Sequence, residues 1–212
     1  MNHLAALFLL FIFLTVESSA QLNFGPSFGM VATTIRGDSD FSPTIRYFGG
    51  GAVSLNIFRY LAALQADVLV IGTGAVREDQ GAITSYQLRT THLALPLQIK
   101  FRIRQRWHTG FGYQYSAMLQ ANETYRVNGN SRDIDASANF AAGDAGPFVD
   151  LGFQALFGAG FHIRYYYGSR RINTTGDVEL NNSYLQAGVF YMFGRKPERF
   201  GFRRPRLNDV PQ

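Results

Sequence analysis

Apolar and polar residues alternate along most of the chain with a period of two, the mark of strands whose two faces meet different surroundings. Leu22, Phe24, Phe28 and Met30 share one parity against Asn23, Gly25, Ser27 and Gly29. The same rule sets Tyr47, Val53, Leu55 and Ile57 opposite Ser54 and Asn56. It sets Leu64, Ala66, Val68 and Val70 opposite Gln65 and Asp67, where Leu69 and Ile71 blur the polar side. The clearest segment places Leu93, Leu95, Leu97, Ile99, Phe101 and Ile103 against His92, Ala94, Pro96, Gln98, Lys100 and Arg102. Trp107, Phe111, Tyr113, Tyr115 and Leu119 then oppose His108, Gly112, Gln114, Ser116 and Gln120. Val149, Leu151, Phe153, Ala155 and Phe157 oppose Asp150, Gly152 and Gln154, and Phe161, Ile163, Tyr165 and Tyr167 oppose His162, Arg164 and Tyr166. Last, Leu185, Ala187, Val189, Tyr191 and Phe193 oppose Gln186 and Gly188, with Phe190 and Met192 off the pattern. These eight segments are each near the ~9 to 11 residues that a tilted membrane strand needs.

The links separate lipid from water. Those around Arg59 and Tyr60, Arg104 to Arg106, and Gly158 to Gly160 are tight. Those over Arg36 to Arg46, Gly72 to Ser85, Asn122 to Pro147 and Ser169 to Asn182 are long and polar. Short turns alternating with long loops are the arrangement of a membrane barrel, termini and turns in the periplasm and loops outside. A soluble lipocalin-like barrel would keep its apolar face inside and show no such two-ended asymmetry. The expectation is an all-β, eight-stranded antiparallel up-and-down transmembrane β-barrel, its even strand number letting the last segment pair with the first. Pro96 cannot donate to a ladder and reads as a bulge.

Composition supports an apolar environment: aromatics make up 15% of the chain and charged residues only 17%. Cysteine is absent, which removes disulfides and thiolate metal sites. Leu4 to Leu14 is an unbroken apolar run, and Ser18 and Ala20 stand at the small-x-small positions before Gln21. That is the pattern of a secretory signal cut after Ala20, although Asn2 and His3 stand where Lys or Arg is usual. The run is too short for a membrane helix, which takes roughly 20 apolar residues. The predicted organisation is a signal peptide over 1–20, an outer-membrane barrel over 21–193 and a basic periplasmic tail over 194–212. The net charge of +5 gathers in that tail, at Arg195, Lys196, Arg199, Arg203, Arg204 and Arg206, and no nucleic-acid partner is expected.

Three stretches carry a family resemblance: Thr91 to Phe101 (THLALPLQIKF), Ile163 to Gly168 (IRYYYG) and Tyr184 to Phe193 (YLQAGVFYMF). Together they make the chain resemble the PorT-like outer-membrane β-barrel family, a Bacteroidetes-type eight-stranded barrel, over Gln21 to Phe193. The family carries a Glu where this chain has Ala94, so an inward salt bridge from that position does not carry over. The resemblance implies the barrel and leaves molecular function open, some relatives assisting secretion across the outer membrane. The closing strand also resembles the β-signal read by the barrel assembly machinery, with Gln186, Gly188, Tyr191 and Phe193 at its positions. Outer-membrane lipids, that machinery during insertion, and an outer-membrane protein partner are the partners expected.

Candidate chemistry is sparse. His92, His108 and His162 share the inward parity but form no HExxH or close pair, so no metal ligands are assigned, and no cofactor site or catalytic residue either. Gly49 to Gly51 falls inside a strand, where glycine relieves packing rather than holding phosphate. Asp67, Lys100, Arg102, Asp150 and Arg164 all point into a lumen which, at eight strands, side chains fill. They are expected to form a luminal polar network, because isolated buried charges cost several kcal/mol each. The chain therefore reads as a non-enzymatic barrel, a structural, binding or secretion-accessory component working through extracellular loops, of which Asn122 to Pro147 is the longest. A lipid-modifying barrel enzyme or a narrow small-solute channel are the alternatives. The first would need an outward His/Ser pair, which does not appear, and the second a wider ring.

Overall fold

The computed structural model describes residues 22–37, 42–57, 61–80, 83–103, 106–127, 130–137, 141–171 and 180–194. The expected signal segment, the basic stretch from Arg195 onward, and most of the turns at Arg59–Tyr60 and Arg104–Arg106 lie outside them. Among the described residues nine strands form: β1 (Leu22–Arg36), β2 (Thr44–Ile57), β3 (Ala62–Gln80), β4 (Ile83–Arg102), β5 (Trp107–Val127), β6 (Asn130–Asp135), β7 (Gly143–Gln154), β8 (Ala159–Tyr167) and β9 (Asn181–Tyr191). All neighbours are antiparallel, and eight strands close into a ring in the order β1, β2, β3, β4, β5, β7, β8, β9. The seam pairs Phe28 with Val189, and a last bridge joins Phe24 to Phe193. Closure leaves no strand edge to face hydrocarbon, where each unpaired backbone group would cost several kcal/mol.

The alternation becomes an outside and an inside. Phe28, Tyr47, Val68, Leu97, Phe111, Val149, Ile163 and Val189 are exposed, far more apolar surface than a soluble monomer shows, and it rings the whole wall. Each such side chain is worth roughly 1.5–3 kcal/mol when taken out of water, which a bilayer supplies. The opposite parity is buried, with Gln186 and Arg164 at 0% and 1% exposure.

The residues that break the alternation fill the lumen. Leu69 and Ile71 join Val31, Phe48, Ala94, Phe148, Tyr166 and Tyr184 in an apolar layer across its middle. Phe190 and Met192 pack with Ala52 nearer the periplasmic end, and Ile35, Ala75 and Leu88 form a third layer nearer the outside. Glycine makes room for these rings: a Cβ at Gly188 or Gly29 would collide with Phe48, and one at Gly112 with Phe148.

Four expectations change. Pro96 is not bulged: it pairs in register with Gln114, and the β3–β4 ladder keeps one register while omitting pairs at Asp67 and Val68. The cause is the missing N–H, which interrupts the ladder without adding a residue. The bulge lies instead between Thr91 and His92, where β5 contributes the extra Leu119. Beyond it the parity of β5 reverses, so Gln120 faces outward rather than into the lumen, and Ala121 and Glu123 are buried. Gly72 to Ser85 is not a loop but a continuing β3–β4 ladder, reaching the Gln80–Ile83 pair. Within Asn122 to Pro147, β5 runs on to Val127 and returns as β6. The strands β3, β4 and β5 thus hold 19, 20 and 21 residues, about twice the membrane requirement.

Candidate functional site

Two places gather polar side chains: the lumen and the extracellular wall. In the lumen, β8 points Arg164 inward between two carboxylates from other strands. Its Nη2 donates to Asp67 Oδ2 on β3 at 3.0 Å, and its Nε to Asp150 Oδ2 on β7 at 3.2 Å. The guanidinium also lies 4.4 Å over the Phe148 ring, so a cation–π contact adds to the two ion pairs. Gln65 donates to Asp67 Oδ1 at 2.6 Å, and His108 Nε2 stands 3.5 Å from Asp150 Oδ1, at the edge of hydrogen-bond range. Three of the five expected network residues, Asp67, Asp150 and Arg164, are therefore joined.

Lys100 lies beside this group, opposite the same Gly110 as Asp150, with Arg102 two residues further along β4. Lys100 Nζ lies 5.4 Å over the Phe190 ring, and among the described residues it forms no ion pair within 4 Å. Both line a small cavity of about 40 Å³ toward the periplasmic end, with Asn23, Asn56, His108 and Gln154, large enough to hold water. The three histidines take separate partners. His92 Nε2 is 3.0 Å from Thr90 Oγ1, and His162 Nε2 is 3.2 Å from Gln186 Nε2, while His108 faces Asp150.

Of the closing-strand residues, Gln186 and Gly188 face the lumen, the first against His162 and the second under the Phe48 ring. Tyr191 and Phe193 are outward and edge-to-face at 4.8 Å, and Phe193 meets Phe24 of β1 at 5.7 Å.

The extracellular wall carries a cluster that the alternation alone missed. Tyr86 on β4 and Tyr125 on β5 both donate to Glu123, to Oε1 at 2.9 Å and Oε2 at 2.6 Å. Burial, then the bond to Glu123, pushes the Tyr125 phenol up to about 12, and burial with Glu123 raises Tyr86 as well, so both remain donors at neutral pH. Tyr86, Leu88 and Thr90 continue the parity of His92, a signal present in the sequence. Glu123 and Tyr125 were hidden by the bulge at Leu119, which shifts their parity by one. Nearer the rim, Arg36 Nη2 donates to Gly168 O at 2.7 Å and its guanidinium lies 3.5 Å over Tyr167. β6 is exposed throughout and tied to β5 by the bond from Thr124 to Asp133 at 2.7 Å.

Comparison with known proteins places the architecture. No curated protein sequence matches the chain. Similar solved structures include Ail, the attachment invasion locus protein of Yersinia pestis, at 11% identity and a TM-score of 0.42 over 82% of this chain and 99% of that one. Neisserial surface protein A gives 13% and 0.45 over 79% and 96%, and OprG of Pseudomonas aeruginosa 13% and 0.44 over 82% and 96%. The model of the outer membrane protein beta-barrel domain matches residues 17–168, most of the chain. With a closed ring of eight strands, an apolar exterior and that match, the chain belongs to the outer membrane protein beta-barrel domain family and is a protein of the bacterial outer membrane.

Proposed function

We propose that this barrel is a non-enzymatic component of the outer membrane, structural, binding or secretion-accessory, whose working surface is the extracellular wall of β3, β4, β5 and β6. The observation that carries this reading is the length of those strands, which continue well past the apolar band and end in the exposed β6, while the lumen beneath is filled. A paired sheet standing in water presents fixed backbone and side-chain groups to a protein partner without the ordering cost of a mobile loop. The PorT-like resemblance agrees with a secretion-accessory role. The Leu4 to Leu14 run with Ser18 and Ala20 supports export followed by cleavage before Gln21.

Crosslinking in intact outer membranes tests the reading. The full chain is expected to yield discrete protein adducts, and a variant in which Thr124 to Asp133 is replaced by a tight turn is expected to lose them. That variant should still show the heat-dependent gel shift of a folded barrel. Adducts that persist unchanged in a folded hairpin-less barrel would overturn the assignment to this wall.

A further inference from the structure

The lipid-facing surface is uneven. On β5 and β8 its positions carry large side chains, Phe111, Tyr113, Tyr115, Phe161, Ile163 and Tyr165. On β2 and β3 the outward positions include Gly49, Gly51, Ala66 and Gly72, and a Cβ added at Gly49 would meet nothing within 4 Å. Two depressions result, one above the other along the same strands. The lower, about 600 Å³, is apolar and runs between Val53, Leu64, Ala66, Leu97 and Phe111. The upper, about 510 Å³, opens at the extracellular end of the apolar band beside Tyr47, Val70 and Thr91, and takes in Arg46 and Arg89.

Among the described residues the upper depression lacks a counter-charge. Arg46 lays its stem across Gly72, where an added Cβ would sit 3.4 Å from Arg46 Cβ. Its Nε is buried without a hydrogen-bond partner. Arg89 donates from Nη2 to Gln87 Oε1 at 2.8 Å, and no carboxylate lines the groove among the described residues. Two guanidiniums in one groove repel, and the partly buried Arg46 has no anion among the described residues to offset its exposed neighbour Arg89. A phosphate relieves both, since its oxygens match the planar fork of arginine donors. The height fits a lipid. From the Gly49–Val70 pair to the Leu55–Leu64 pair the strands advance six residues, about 20 Å along the strand and about 15 Å along the membrane normal after tilt. That is about half of the ~30 Å hydrocarbon core, the depth of one leaflet.

We propose that this face binds one phosphorylated lipid of the outer leaflet, its phosphate between Arg46 and Arg89 and an acyl chain in the trough along Gly49, Gly51 and Ala66. The test is native mass spectrometry of the full barrel, reconstituted in phosphatidylcholine vesicles containing bisphosphorylated lipid A and then extracted in detergent. The wild type retains one lipid A per barrel, and the double variant Arg46→Gln, Arg89→Gln loses retention by roughly tenfold or more. Gly49→Leu, which leaves both arginines and fills the trough, also lowers it. Gly49 and Arg89 take outward positions, Arg46 follows the inward parity of Phe48 on β2 and turns its stem over Gly72 of β3, and the heat-dependent gel shift checks that each variant folds. Lipid A stripped of its phosphates is not retained. Equal retention of the stripped lipid, equal retention by both variants, or none by the wild type would overturn the site. Displacement of lipid A by millimolar inorganic phosphate, with phosphate alone bound to the barrel, would assign the groove to a free anion and overturn the lipid.

Discussion

Arg164 ties together strands far apart in the chain, since Asp67 lies 97 positions away and Asp150 lies 14. Replacing it by Met would leave both carboxylates buried without their cation, and breaking a buried pair in this way costs about 3–5 kcal/mol. Arg164→Met is therefore expected to lower stability by that order, measured as a shift of the denaturant midpoint for unfolding in detergent. Adding Asp67→Asn and Asp150→Asn should recover much of the loss, because the cost lies in the stranded charges rather than in the missing attraction. A triple variant no more stable than Arg164→Met would show that packing over Phe148, not charge, sets the effect. The inward direction of all five charges was legible from parity, because a period of two fixes the side of the wall. Which of them meet was not, because parity does not say which side chains within a row touch: Lys100 and Asp150 both lie opposite Gly110 and yet form no ion pair within 4 Å.

At the scale of the element, β9 has to close the ring against β1, and Phe193, two residues past its end, extends that closure through a single bridge to Phe24. If Phe193 acts in assembly and not only at this seam, two substitutions that remove the same ring pair will differ. Phe193→Ala is expected to lower the yield of folded barrel in cells, whereas Phe24→Ala loses only the ring contact, worth about 1 kcal/mol. Densitometry of heat-modifiable bands measures both, and equal yields would leave Phe193 as a seam residue alone. The core spans of the strands were readable because lipid and lumen impose opposite demands on alternate residues. The upper halves of β3, β4 and β5 were not, because in water both faces of a strand can be polar. Arg77 to Gln80 therefore looks like loop sequence although its backbone is paired. The bulge at Leu119 was likewise hidden, since Leu119 remains outward and only the residues after it change side.

For the whole molecule, the question is whether anything passes through. Strand number sets the ring's width, and at eight strands the interior is just wide enough for side chains. Here those side chains form three successive obstructions along the axis: Phe190 and Met192 with Ala52, then the Phe48, Phe148, Tyr166 and Tyr184 layer, then Ile35 and Leu88 with Ala75. The ion-paired Arg164 lies against the middle layer, and Tyr184 is itself held by Gln114, with 2.6 Å and 3.0 Å separations between amide and hydroxyl. A hydrated ion would have to displace aromatic rings seated over glycines at Gly29, Gly112 and Gly188, which have no vacant place to move into within a packed interior. The purified barrel in planar bilayers is therefore expected to show no steady conductance. Arg164→Ala, although destabilising, is expected to show none either, because the apolar layers remain after the charge is gone. Reproducible single-channel steps in the wild type, abolished or rescaled by Arg164→Ala, would instead make the charged lumen the working part of the molecule and remove the case for the extracellular wall.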